Sequence, residues 1–114
     1  MRQIKFRAWD LDENKMFLVD KLSEAEWVLY LSDAIKGKGR PVFMQFTGLL
    51  DKNGKEIYEG DIVKADGKNG LVEWNISEPF YWVRFGGNKF NYLWNVLHIE
   101  VIGNIYENPE LLHA

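Results

Sequence analysis

The segment Asp51-Lys52-Asn53-Gly54-Lys55-Glu56 sets an Asp and an Asn two residues apart, as a calcium loop begins. That chemistry needs Gly at the sixth position and a bidentate Glu at the twelfth. Here Gly54 is fourth and Ile62 is twelfth, so the spacing argues against a calcium site. The carboxylates Asp51, Glu56, Glu59 and Asp61 are candidates for an acid–base or metal pair, yet nothing in their spacing forces them together, and charged turn residues are normally solvated. His98 and His113 are the only histidines and cysteine is absent, which removes thiolate chemistry and argues against a zinc centre. Ser23, Ser32 and Ser77 lack a nucleophile-elbow spacing. Gly67-Lys68-Asn69-Gly70 lacks the phosphate-loop pattern and reads as a hairpin turn. These residues predict no enzyme, no metal and no cofactor.

The aromatic residues carry more information. Trp74, Phe80, Trp82, Tyr92 and Trp94, with Arg84 and Lys89 near them in sequence, form a candidate partner surface. On the stretch from Phe80 to Phe85 both strand faces are apolar or aromatic except at Arg84. One face suits a core. The other is buried between the subdomains or in a homo-oligomer, or is an exposed contact surface for another protein, or a platform on which single-stranded bases stack between cations. Net charge is −3, which disfavours nucleic acid and ranks protein first. Lys5, Arg7 and Trp9 make a smaller face of mixed type, with Arg2 adding charge; a solvated outer face is expected there.

At 114 residues the chain is one compact unit built from two small subdomains, 1–48 and 49–114. Aromatics are 15% of the residues, enough for a real core and an exposed apolar patch besides. The N-terminus interrupts its apolar pattern with Arg2, Lys5 and Arg7, unlike a signal peptide. No apolar run approaches the roughly 20 residues that span a bilayer. The expectation is a cytoplasmic protein without a membrane partner.

Period-two alternation from Ile4 to Trp9 predicts a strand, with Ile4, Phe6 and Ala8 inward, and Met16 to Val19 returns as its hairpin partner. Ser23-Glu24-Ala25-Glu26 fits a capping box, and the stripe Trp27, Val28, Leu31, Ala34, Ile35 predicts a helix over 24–36, ended by Gly37. Val42 onward is β throughout. Asn53-Gly54 predicts a tight hairpin turn with two positive-φ residues. From about residue 60, strands recur roughly every ten residues between turns. The fold class expected is α+β, mainly β: an N-terminal hairpin and one helix packed beside a C-terminal antiparallel SH3-like barrel. Asn108-Pro109 stops the last strand, leaving Glu110-Leu111-Leu112 as a tail.

Three blocks carry a family resemblance. The first is Ile4-Lys5-Phe6-Arg7-Ala8-Trp9-Asp10. The second runs from Phe43 through Phe46-Thr47-Gly48-Leu49 and Asp51-Lys52-Asn53-Gly54-Lys55-Glu56-Ile57-Tyr58-Glu59-Gly60-Asp61 to Val63. The third runs from Glu100 through Gly103-Asn104-Ile105-Tyr106-Glu107-Asn108-Pro109 to Leu112. In this order they resemble the YopX-like proteins of phages and prophages. The resemblance implies a phage or prophage origin, a bacterial cytoplasm and a β-rich α+β fold, and it brings no catalytic residues. Read from the residues alone, Gly48, Gly54, Gly60 and Gly103 serve turns and close approaches, while Ile57 and Tyr58 anchor the loop on the core. The expected function is that of an accessory protein acting by binding a host or phage protein, or itself; the alternative is a nucleic-acid-binding module using the aromatics with Arg84 and Lys89.

Overall fold

The computed structural model describes residues 5–19, 41–75, 80–86, 89–93 and 98–112. It is mainly β, in two antiparallel sheets. The chain divides into two compact units whose boundary falls between Gln45 and Phe46, inside one long strand.

In the first unit, β1 (Phe6–Asp10) pairs on one side with β2 (Lys15–Leu18) and on the other with the first half of β3 (Pro41–Leu50). The hairpin connection turns on Asp10. Its Oδ1 accepts the backbone N–H groups of Asp12 at 2.9 Å and Glu13 at 3.1 Å, and Asn14 takes the left-handed conformation at φ 53° that Asn tolerates. The expected face assignment on β1 is corrected here. Trp9 is buried and Phe6 is exposed, and Ala8, Trp9 and Asp10 are buried in succession. Both faces of β1 are therefore covered at its C-terminal end, which period-two alternation cannot signal. The helix expected over 24–36 lies outside the described residues.

In the second unit, the rest of β3 pairs with β4 (Glu56–Tyr58) at Phe46↔Tyr58 and Leu50↔Glu56, with a register shift between. Then β5 (Asp61–Ala65), β6 (Lys68–Asn75), β7 (Phe80–Phe85), β8 (Lys89–Tyr92) and β9 (Glu100–Asn104) form a sheet in the order β8-β7-β6-β5-β9. Consecutive strands from β5 to β8 are neighbours, and β9 returns to the outer side of β5. Of the expected SH3-like barrel the structure gives the coarser part, one five-stranded antiparallel sheet with β8 and β9 at its ends; among the described residues no pairing joins them. Closure is not needed to bury the inner face. Val63, Val72, Tyr81 and Val83 of that face pack with Ile57, Leu93 and Ile99 from outside the sheet into one core.

The turns also differ from expectation in a physical way. Asp66 (φ 53°) and Gly67 (φ 76°) supply the two successive positive-φ residues of the β5–β6 hairpin, whose strands meet at Ala65↔Lys68. At Asn53-Gly54 only Gly54 is positive (φ 81°), because its N–H donates to the Asp51 carbonyl at 3.0 Å and Asp51 N–H closes the loop on Lys55 at 2.8 Å. Residues 109–112 are not a loose tail. Pro109–Leu112 is a 3-10 turn, and Asn69 Nδ2 donates to the Leu111 carbonyl at 2.9 Å.

Ile57 is 1% exposed at the centre of this core. Ile57→Ala removes three buried carbons and leaves a cavity, and is expected to cost about 2–5 kcal/mol. Urea denaturation checks it: the midpoint falls while the slope stays the same.

Candidate functional site

Two constellations need placing, the signature blocks and the aromatic residues. The signature resolves into backbone hydrogen bonding. The buried polar residues of the described chain are Asp10, Thr47, Asp51, Asp61 and Asn104, and all five fall within the three blocks. Each satisfies main-chain groups. At the register shift in β3, Gly48 takes φ 88° and the Thr47 hydroxyl donates to the Ile57 carbonyl at 2.7 Å and accepts Leu49 N–H at 3.2 Å. Asp61 Oδ2 accepts Tyr58 N–H at 2.8 Å. Asn104 Oδ1 accepts Tyr106 N–H at 3.0 Å and Glu107 N–H at 2.8 Å, and its own N–H donates to Asn108 Oδ1 at 3.2 Å. That turn explains Gly103, where a Cβ would come within 2.5 Å of the Asn108 side chain.

Asp51 spans the longest sequence distance. Its Oδ1 accepts the N–H groups of Asn53 and Lys55, each at 2.8 Å, and its Oδ2 accepts Val101 N–H at 2.9 Å. Lys52 N–H donates to the Ile99 carbonyl at 2.9 Å, and Lys52 Nζ lies 3.4 Å from Glu100. The loop 51–55 is thus fastened along the start of β9. Burial alone would raise the Asp51 carboxyl, but the N–H bonds from Val101, Lys55 and Asn53 and the Lys55 charge outweigh it and hold the pKa below its ordinary 3.8. A carboxylate whose two oxygens already face N–H donors is a poor calcium ligand. Glu56 accepts the Tyr58 hydroxyl at 3.3 Å. His98 is exposed, and His113 lies outside the described residues. Among the described residues no group of three or more acids and histidines is placed to hold a metal.

The aromatic residues divide between the faces of the five-stranded sheet. Register sets Glu73, Trp82 and Tyr92 in one row and Leu71, Arg84 and Phe90 in the next. With alternation along each strand, Phe80, Trp82, Arg84, Phe90 and Tyr92 share the face opposite Val72 and Val83. Trp82 packs on Phe90 with ring centroids 4.3 Å apart, and Phe80 meets Tyr92 edge-on at 5.7 Å. Phe80 is 45% exposed and Phe90 52%. Arg84 Nε and Nη2 donate to Glu73 Oε1 at 2.7 Å and Oε2 at 3.3 Å, so its charge is matched on this face. The Trp82 indole N–H is enclosed without an acceptor, a cost the fold does not explain.

Of the residues expected at this surface, Phe80, Trp82, Arg84 and Tyr92 come together. Trp74 does not: it lies on the core-side face, half-exposed, edge-on to Tyr81 at 4.8 Å. Lys89 falls on that side too, since it pairs with Phe85, and it lines a cleft at the sheet's end. Trp94 lies outside the described residues. Phe90 was missed by the sequence reading, although the alternation Phe90-Asn91-Tyr92 already puts it on the face of Tyr92.

The chain belongs to the YopX family: the family described as YopX protein matches residues 5–113. Among solved structures it is similar to protein EF1440 from Enterococcus faecalis, at 25% identity over 98% of this chain and 99% of that one, with a TM-score of 0.55. No curated protein matches.

Proposed function

We propose that this chain is a non-catalytic phage or prophage accessory protein that works in the bacterial cytoplasm by binding a protein through the outer aromatic face of β7 and β8. The observation that carries the reading is the exposed pair Phe80 and Phe90, packed on the partly buried Trp82 and Tyr92, on the sheet face turned away from the core. Because Glu73 neutralises Arg84, the matching surface is apolar, on a second copy or on a host or phage protein. Aromatic anchors of this size dominate binding energy when a partner desolvates them. No helix among the described residues is long and apolar enough to cross a membrane.

The nucleic-acid alternative is weaker on this face, since its cation is already paired and Glu73 repels phosphate. Arg84→Ala tests the point. The pair is largely solvent-exposed, so its loss is expected to cost about 0–1 kcal/mol and to leave protein binding intact. Weakened oligonucleotide binding in a filter assay would favour the alternative.

The role itself is tested by affinity capture from a bacterial lysate divided into nuclease-treated and untreated halves, beside light scattering of the purified chain. A protein retained after nuclease, or a concentration-dependent dimer, supports the reading. Capture lost with nuclease, from a chain that stays monomeric, contradicts it.

A further inference from the structure

At the end of the five-stranded sheet, the β5–β6 hairpin, the β7–β8 hairpin and the C-terminal 3-10 turn border a cleft of about 510 Å³. Lys64, Lys68 and Lys89 line it together with Phe85, Leu111 and Leu112, and among the described residues no carboxylate does. Asp66 and Glu110 adjoin lining residues in sequence but are not part of the wall. All three lysines are exposed, and none makes an ion pair with a described residue. The cleft is braced, since the Asn69–Leu111 hydrogen bond holds the 3-10 turn against β6.

Three unmatched ammonium groups beside one cleft repel one another, so their grouping does not stabilise the fold. An anion with several charges offsets that repulsion. The volume lies within the range of small-molecule sites, roughly 300–1,000 Å³. The wall is of two kinds, cationic at the lysines and apolar at one aromatic ring and two leucines. A ligand with a polyanionic end and a flat apolar end matches both. We propose that this cleft binds a nucleoside di- or triphosphate, its phosphates among Lys64, Lys68 and Lys89 and its base against Phe85, Leu111 and Leu112. The site is independent of the protein-binding reading and lies on different residues.

The test is calorimetric titration of the full chain with ATP, with inorganic triphosphate and an oligothymidine as comparison probes. The expected result is saturable ATP binding that weakens as salt is raised, with inorganic triphosphate about tenfold or more weaker because it lacks the base. The K68Q/K89Q variant loses two charge-assisted contacts and is expected to bind ATP at least about tenfold less tightly. Its melting temperature without ligand should match that of the unmodified chain, since both side chains are exposed; if it does not, Lys64→Gln alone serves as the variant. Retention of binding by F80E/F90E would place the site off the aromatic face, as proposed. Absence of ATP binding, equal binding of inorganic triphosphate, unchanged affinity in the lysine variants, or a clear preference for the oligothymidine would each overturn the proposal.

Discussion

Asp51→Ala destabilises the chain by about 3 kcal/mol, a large share of the roughly 5–15 kcal/mol that a domain of this size has. Three backbone N–H groups lose their acceptor, but not at equal cost. Asn53 and Lys55 are exposed, so water can replace the carboxylate there. Val101 N–H, in β9, is the costly one, because Val101 is partly buried where Asn53 and Lys55 are exposed. Loss of that bond leaves the loop 51–55 held to β9 only through Lys52, by its N–H on the Ile99 carbonyl and its ammonium beside Glu100. Chemical denaturation measures the loss, and amide exchange at Val101 reports whether the loop has detached. Asp51→Asn keeps the shape and one acceptor oxygen but sets an amide NH₂ against an N–H donor, so an intermediate cost is expected.

The pH dependence has a definite sign. The folded-state pKa of Asp51 is lowered from 3.8, so the folded protein holds the ionised form more tightly than the unfolded chain does. Its contribution is fully present above the unfolded value and is lost as pH falls through the folded one. The stability difference between the unmodified chain and Asp51→Asn is therefore constant at neutral pH and narrows below 3.8. A gap that widens on acidification would show that burial, rather than the N–H donors, governs this carboxylate.

The second large effect is on binding. Phe80→Glu with Phe90→Glu places two charges on the outer face of β7 and β8, where both rings are substantially exposed. The inner core, Val63, Val72, Tyr81 and Val83, is on the other side, so the expected loss of stability is confined to the ring pairs with Tyr92 and Trp82, about 1–3 kcal/mol together. Partner affinity should fall at least about 100-fold, since each ring has the character of an interface anchor worth about 2 kcal/mol or more. Surface plasmon resonance with the captured partner, or the dimerisation constant if the partner is a second copy, measures it. A variant that binds unchanged removes this face from the account.

Much of the architecture was legible where local chemistry decides it. Alternation located the strands from β5 to β8, and the Gly/Asp/Asn clusters marked turns because those residues satisfy local backbone groups. The distinction between turn types was not legible. Asn53-Gly54 has the composition of a two-residue hairpin turn, yet Asp51 captures the N–H groups around it and imposes another conformation, while Asp66-Gly67 takes the positive-φ pair. That Asp51 reaches Val101 is a contact across half the chain, and no spacing rule anticipates it. The barrel is expected because aromatic strands need both faces covered; Ile57, Leu93 and Ile99 close the inner face from outside the sheet, and Phe80 and Phe90 on the outer face remain exposed. For the candidate surface, alternation reached Phe80, Trp82 and Tyr92. The separation of Trp74 and Lys89 from them follows from strand pairing, which sets Trp74 opposite Tyr81 and Lys89 opposite Phe85. The same pairing gathers Lys64, Lys68 and Lys89 from two hairpins at one end, a grouping with no trace in the linear order.

The central claim is that the outer face of β7 and β8 is the surface that binds protein. Hydroxyl-radical footprinting of the chain, free and in its purified complex, tests it most directly, because oxidation reads side-chain access residue by residue. Phe80, Phe90 and Tyr92 are expected to be protected in the complex, with Phe6 and Phe43 of the first unit oxidised equally in both states. A complex in which Phe80 and Phe90 stay fully reactive while protection falls on Phe6 and Phe43 would contradict it.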